Sequence, residues 1–255
     1  MSCTTFFDGD TFIHRLDPRP RIIVTLAFAA VTAFSSNSGV LCAALAAGLA
    51  LAVLARIPAA ALRRRLLRLN IFTVVLFVTV PPTFPGRTAF ALFSIPFSVE
   101  GLLWSLSTAM KANAIVLVFA ALMGTIDLFT LGHAFHHLKV PVKLTHLFLF
   151  TLRYLDVLHH EYVTLLRAMK ARSFRPSMRL HTYRSYAWLT GMLLVRSLER
   201  SERILEAMKC RGFSGEFHVL KHFRFSAADA AFSAVSFAVL ALFLAAELAG
   251  AAAVW

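Results

Sequence analysis

Charged residues are scarce: Asp, Glu, Lys and Arg make up 15% of the 255 residues, where a soluble domain carries about a quarter. With 58% apolar residues and a mean hydropathy of +0.71, that shortage excludes a soluble enzyme and a disordered adaptor and points to a polytopic membrane protein. Cysteine is equally sparse. Cys3, Cys42 and Cys210 are too scattered for a disulfide framework or a cysteine zinc site, which excludes a secreted disulfide scaffold. No Gly-Lys dipeptide occurs, so there is no phosphate-binding P-loop. Acids are the rarer charge, 13 against 26 Lys and Arg, for a net +13.

Those cations fall in blocks. Arg15, Arg19 and Arg21 precede the first apolar run; Arg56, Arg63, Arg64, Arg65 and Arg68 follow the second; sixteen more lie between 125 and 226 with only seven acids. That stretch also holds nine of the ten histidines, and so polar a segment does not sit in hydrocarbon. The apolar runs predict an all-α protein with about five spans: Ile22–Phe34, Gly39–Ala55, Leu66–Val80, Leu102–Met123 and 227–249. The positive-inside rule then places the N-terminus, the loop of Arg63, Arg64 and Arg65, and 125–226 in the cytoplasm, with the C-terminus outside. The expected domains are a transmembrane region over 1–124, a cytoplasmic region with two Arg-tipped helices over 125–226, and a last span in 227–255. Asp17-Pro18 and Pro20 argue against a cleaved signal in the first run, and 144–152 are apolar enough to dip into the interface. In the second span, Ala44, Gly48 and Ala52 recur every fourth residue, a spacing that admits a neighbouring helix closely.

An internal repeat occupies the polar stretch. Leu166-Arg-Ala-Met169-Lys170-Ala171-Arg172-Ser173-Phe174 recurs 39 residues on as Leu205-Glu-Ala-Met208-Lys209-Cys210-Arg211-Gly212-Phe213, identical at six of nine positions. Each copy closes an amphipathic helix, with Leu155, Leu158, Tyr162, Leu165, Leu166 and Met169 on one stripe and Leu194, Leu198, Leu205 and Met208 on the other. Pro176 is expected to stop the first helix, and Gly212 or Gly215 the second. A terminal Arg complements the helix dipole by about 0.3–1 kcal/mol. Dipole complementation alone does not ask for Met, Lys and Phe at set offsets. The alternative is an Arg fork making paired hydrogen bonds to carboxylates of a partner, and two such tips suit a dimeric or pseudo-symmetric one.

The two Arg signatures, with Leu16-Asp17-Pro18-Arg19 and Leu138-Lys139-Val140-Pro141, resemble the transmembrane T component of energy-coupling-factor importers. Arg153-Tyr154-Leu155 and Met192-Leu-Leu-Val-Arg196-Ser197 look closest to its cobalt/nickel branch, the CbiQ or NikQ type. Ser173 and Cys210 depart from the family's Ala-Arg-Gly signature. The resemblance implies a subunit of a bacterial or archaeal plasma membrane that is not itself an enzyme and has no cofactor. Ala171, Arg172, Ser173, Cys210, Arg211 and Gly212 would grip two cytoplasmic ATPase subunits, supported by Met169, Lys170, Phe174, Met208, Lys209 and Phe213. Their closure would pass to a separate membrane subunit that binds cobalt, nickel or, in the alternative branch, a vitamin.

Two other classes compete. His133-x-x-His136-His137 has the form of one histidine box of membrane di-iron enzymes, with His146, His159, His160 and His181 as further imidazoles. Such enzymes need several boxes and the chain has one, so no metal site is assigned. A nucleic-acid surface is not expected, because positive-inside bias accounts for the basic stretch, which meets membrane lipids instead. Lys111, alone inside the fourth span, is read as snorkelling or as packing against the substrate subunit.

Overall fold

The computed structural model describes residues 13, 16–83, 87–92, 95–138, 140–213 and 226–252, without the side chains of 88–97, His136 and 250–252. Cys3, Arg15, Lys139 and Gly215 lie outside the described residues. The helices are α1 Pro18–Phe34, α2 Ser38–Leu54, α3 Ala59–Thr79, α4 Val99–Leu122, α5 Leu128–His137, α6 Val142–Ala171, α7 Leu180–Cys210 and α8 Ala227–Ala252. The fold is all-α as expected, with one addition before α4, an antiparallel hairpin of β1 Thr88–Leu92 and β2 Ile95–Ser98. The chain divides into two units, an apolar one of Thr5–Leu131 with Phe223–Trp255 and a polar one of Met1–Thr4 with Gly132–His222.

In the apolar unit, α1, α2, α3, α4 and α8 cover the five apolar runs of the sequence. Val99–Leu122 and Ala227–Ala249 are long and apolar enough to cross a membrane; Ser38–Leu54 is apolar but shorter. At 1.5 Å per residue, the 17 residues of α1 and of α2 reach about 26 Å, close to the roughly 30 Å hydrocarbon thickness. The core gathers Val24 and Phe28 of α1, Val40 and Ala44 of α2, Ala114 and Val118 of α4, and Leu240 and Phe243 of α8. Ala44, Gly48 and Ala52 are all buried. A Cβ on Gly48 would stand 3.0 Å from Leu117 Cβ and 3.3 Å from the Ala114 carbonyl, so the small-residue spacing does bring α2 against α4.

Two expectations need correction. Arg63, Arg64, Arg65 and Arg68 lie within α3 and not in a loop. Pro58 ends the preceding turn, and the helix-forming Ala59–Ala61 start the next helix at once. Pro176, for its part, does not stop α6, which ends at Ala171, five residues earlier in the sequence.

Polar groups in the apolar unit satisfy one another. The Asp17 side chain caps α1 through the Arg19 amide at 3.1 Å, and the Asp17 amide donates to Asp229 Oδ1 at the start of α8, 2.7 Å away. At the other end of the same two helices, Glu247 accepts from Ser35 Oγ at 2.6 Å and the Ser36 amide at 2.7 Å. Helices α1 and α8 therefore run parallel, tied at both ends. Arg21, only 2% exposed, donates through Nη2 to the Leu122 carbonyl at 2.5 Å and to Thr125 Oγ1. Lys111 Nζ donates to the Ala33 carbonyl at 3.1 Å. A cation on each of α1 and α4 thus satisfies a carbonyl at the C-terminal end of the other, where helical carbonyls lack partners.

Candidate functional site

Both copies of the repeat end in the same hydrogen-bonded motif. After α6 the Phe174 amide donates to the Met169 carbonyl at 3.1 Å and the Ser173 amide to that of Lys170 at 3.0 Å. After α7 the Phe213 amide donates to Met208 at 3.1 Å and Gly212 to Lys209 at 3.0 Å. This is a Schellman ending. Its left-handed position is Ser173 (φ 63°) in one copy and Gly212 (φ 82°) in the other. Replacing Gly by Ser therefore keeps the geometry at a local conformational cost, since an L side chain disfavours positive φ.

The motif accounts for part of the repeat. Met and Phe are the residues whose backbones close the longer bond, and a Schellman ending commonly pairs apolar side chains at those positions. The Arg is not accounted for. Arg172 (φ −84°, ψ 20°) and Arg211 (φ −91°, ψ 10°) hold ordinary backbone angles that any residue adopts, and both side chains are exposed. Among the described residues no carboxylate lies within ion-pair range of either. From the Met onward exposure matches position by position: Met169 and Met208, Phe174 and Phe213 are half-buried, while the four residues between them in each copy are exposed.

Helices α6 and α7 meet at an ion-pair fork, where Glu161 accepts from Arg196 Nη1 at 3.0 Å and Arg200 Nη2 at 2.6 Å. On one side of it, Tyr154, Val157, Leu158, Ile204, Leu205 and Met208 line an apolar groove of about 520 Å³. On the other, Arg172, Arg175, Arg179 and Arg196 line a groove of about 970 Å³. Phe174 stands edge-on to Tyr186 with ring centroids 5.7 Å apart, and the Ser177 amide donates to Thr182 Oγ1 at 3.2 Å, which hold the connecting loop against α7.

Little of these helices is covered by the chain itself. Only Thr145 of the 30 residues in α6, and Thr182 and Leu189 of the 31 in α7, are buried. Parts of the expected stripes stand open, with Leu155 46%, Leu194 65% and Leu198 61% exposed, while Leu158, Leu165, Leu166, Met169 and Met208 are half-buried. Helices in proteins owe most of their stability to packing of an apolar face, so faces this bare call for partners.

Among the described residues no three His, Cys, Asp or Glu side chains gather as a metal ion would need. Sequence reasoning missed Arg21, Thr125, Asp229 and Glu247 as the ties of the apolar unit. Asp229 and Glu247 carried a usable signal, since an acid inside an apolar helix is rare without a partner.

A family model described as cobalt transport protein, CbiQ, matches residues 9–222. The chain is also similar to proteins named energy-coupling factor transporter transmembrane protein EcfT. That of Leuconostoc gelidum subsp. gasicomitatum is 27% identical, with 82% of each chain covered. Those of Acidaminococcus fermentans and Lactococcus lactis subsp. cremoris are 25% and 27% identical, covering 82% of this chain and 82% and 83% of theirs.

Proposed function

The chain belongs to the CbiQ family of cobalt transport proteins, and we propose that it couples two cytoplasmic ATPase subunits to a separate membrane subunit that takes up cobalt or nickel ions. It is a transmembrane component of an energy-coupling factor transporter. One observation carries the coupling role: two identically built helix ends each present an exposed Arg with, among the described residues, no carboxylate within ion-pair range. Ala171, Cys210, Ser173 and Gly212 shape those ends, and Arg172 and Arg211 make the contact. The family description and the wording of the second half favour cobalt or nickel over a vitamin.

The chain has no P-loop, so ATP hydrolysis belongs to the partners and this subunit is no enzyme. Closure of two ATPases would move the two tips, and rigid helices of 30 and 31 residues carry that movement as a body. Co-purification of ATP-binding subunits with the chain, and their loss when both Arg are removed, tests the role.

The N-terminus lies in the cytoplasm and the C-terminus outside in this reading. The parallel course of α1 and α8 supports placing the two termini on opposite sides, and the positive-inside bias of 125–226 selects the cytoplasmic one. Cys210 is exposed, so in a variant lacking Cys3 and Cys42 a membrane-impermeant thiol reagent should label it only after cells are permeabilised. Labelling of intact cells would reverse the orientation.

The histidines take no part in this mechanism. Replacing His133, His136 and His137 together by Gln should leave metal uptake by the assembled complex nearly unchanged. Lost uptake with normal assembly would return them to a metal site.

A further inference from the structure

The two tips share a backbone and differ in charge. Residues 162–179 hold five cations, Arg167, Lys170, Arg172, Arg175 and Arg179, and no acid, for a net +5; their counterparts 39 residues on, 201–218, hold three cations and three acids, for a net of zero. Arg175 and Arg179 have Ser214 and His218 at the equivalent positions, and Arg167 has Glu206.

In the structure, Arg172, Arg175 and Arg179 open onto one groove of about 970 Å³, with no acid in its lining. Arg196, on the same groove, is already matched by Glu161 at 3.0 Å. The other three are exposed and, among the described residues, have no carboxylate within ion-pair range. Beside them Met178 is 97%, Leu180 84% and Trp188 74% exposed. Arg and Trp together make the composition of an interface anchor, and unopposed cations of one sign lower the affinity for any basic partner while raising it for an acidic one.

We propose that the first tip docks on an acidic surface of one ATPase subunit and that the second tip, lacking the excess cations, gains less from its own socket, so the two docking sites are unequal in strength and in salt dependence. This rests on the coupling role above and adds to it that the first site dominates assembly at low salt. Arg172 and Arg211 supply the contact common to both tips; Arg175 and Arg179 supply the excess of the first.

The experiment compares Arg175→Gln/Arg179→Gln with a variant that removes two cations of the second tip, Arg203→Gln/Lys209→Gln, each in the full complex in detergent, reading retention of the ATPase subunits. Exposed charge pairs contribute a few tenths to about 1 kcal/mol each, so the first variant, which removes two, should weaken retention by about threefold to thirtyfold at low salt. The difference from wild type should vanish near about 0.5 M salt, where charges are screened within a few ångströms. The second variant should change retention by less than about twofold. Equal weakening by both variants, or unchanged retention in the first, overturns the proposal. So does unchanged retention accompanied by lost binding of the complex to phosphatidylglycerol vesicles, which would assign the groove to anionic lipid. The Arg172→Ala/Arg211→Ala variant, run alongside, keeps the two readings apart: if it releases the ATPases while Arg175→Gln/Arg179→Gln does not, coupling stands and the inequality falls.

Discussion

Exchanging Arg172 and Arg211 together for Ala is expected to strip the ATP-binding subunits from the purified complex and to abolish uptake. Removing one partner of a desolvated charge pair costs about 2–5 kcal/mol, much of it because the remaining carboxylate stays buried and unpaired. Two such losses exceed what a multi-subunit complex of ordinary affinity tolerates. Were the two Arg only complementing helix dipoles, each exchange would cost under about 1 kcal/mol, and ATPase recovery would match wild type. The variant isolates docking from folding, because both Schellman endings are closed by backbone groups alone and the Arg backbone angles suit Ala equally well. Lys at either position should rescue poorly, since it keeps the charge and loses the planar fork. A pull-down quantifying the ATPase subunits, with a thermal melt showing the membrane subunit intact, checks both halves.

Gly48→Leu should strongly destabilise the apolar unit. The first added atom would already stand 3.0 Å from Leu117 Cβ and 3.3 Å from the Ala114 carbonyl, with Val118 Cγ2 at 3.4 Å. The nearest of these belong to helix backbone or to a Cβ, which cannot swing aside, so α2 and α4 would have to part. Overpacking of this kind costs about 1–3 kcal/mol, and the separation also forfeits dispersion contacts along the small-residue face. In detergent this should appear as a melting temperature lower by several degrees, about 2–4 °C for each kcal/mol in a chain of this size. Gly191→Ala in α7 is the opposite case. Nothing lies within 4 Å of its added atom, and an Ala there should leave stability unchanged or raise it by about 0.5–1 kcal/mol. A Gly48→Leu protein that melts like wild type would show that α2 does not lie against α4 at this point.

Legibility from sequence divides along a physical line. The Ala44, Gly48 and Ala52 spacing is legible because close helix approach demands small residues on one face, whatever the partner. The Arg172 and Arg211 tips are legible because duplication sets them apart from other surface cations. Arg21 is not legible. Beside Arg15 and Arg19 it looks like one more cation at the membrane edge, and only the fold brings it to the Leu122 carbonyl, 101 positions away. Lys111 is the same kind of case: read as snorkelling, it donates to the Ala33 carbonyl of a helix far off in sequence. The hairpin of Thr88–Leu92 and Ile95–Ser98 was hidden by Pro85 and Gly86, which mark a break in the helical pattern but not the paired strands beyond it. Ser173 hid the end of α6 for another reason. A Gly announces a left-handed residue, whereas a Ser in that conformation is imposed by the two backbone bonds that close the turn.

The ties between α1 and α8 also govern how the protein is made. Asp17 waits for Asp229, and Ser35 and Ser36 wait for Glu247, partners 212 and 211 residues downstream. A ribosome delivers roughly 5–20 residues per second, so the first span spends on the order of ten seconds or more in the bilayer before its last neighbour emerges. Throughout that interval its polar ends lack the groups that will satisfy them, and α2 and α4 are its available company within the chain. Any factor that shelters a half-made membrane protein would find the earliest helix, rather than the latest, the one most in need of it.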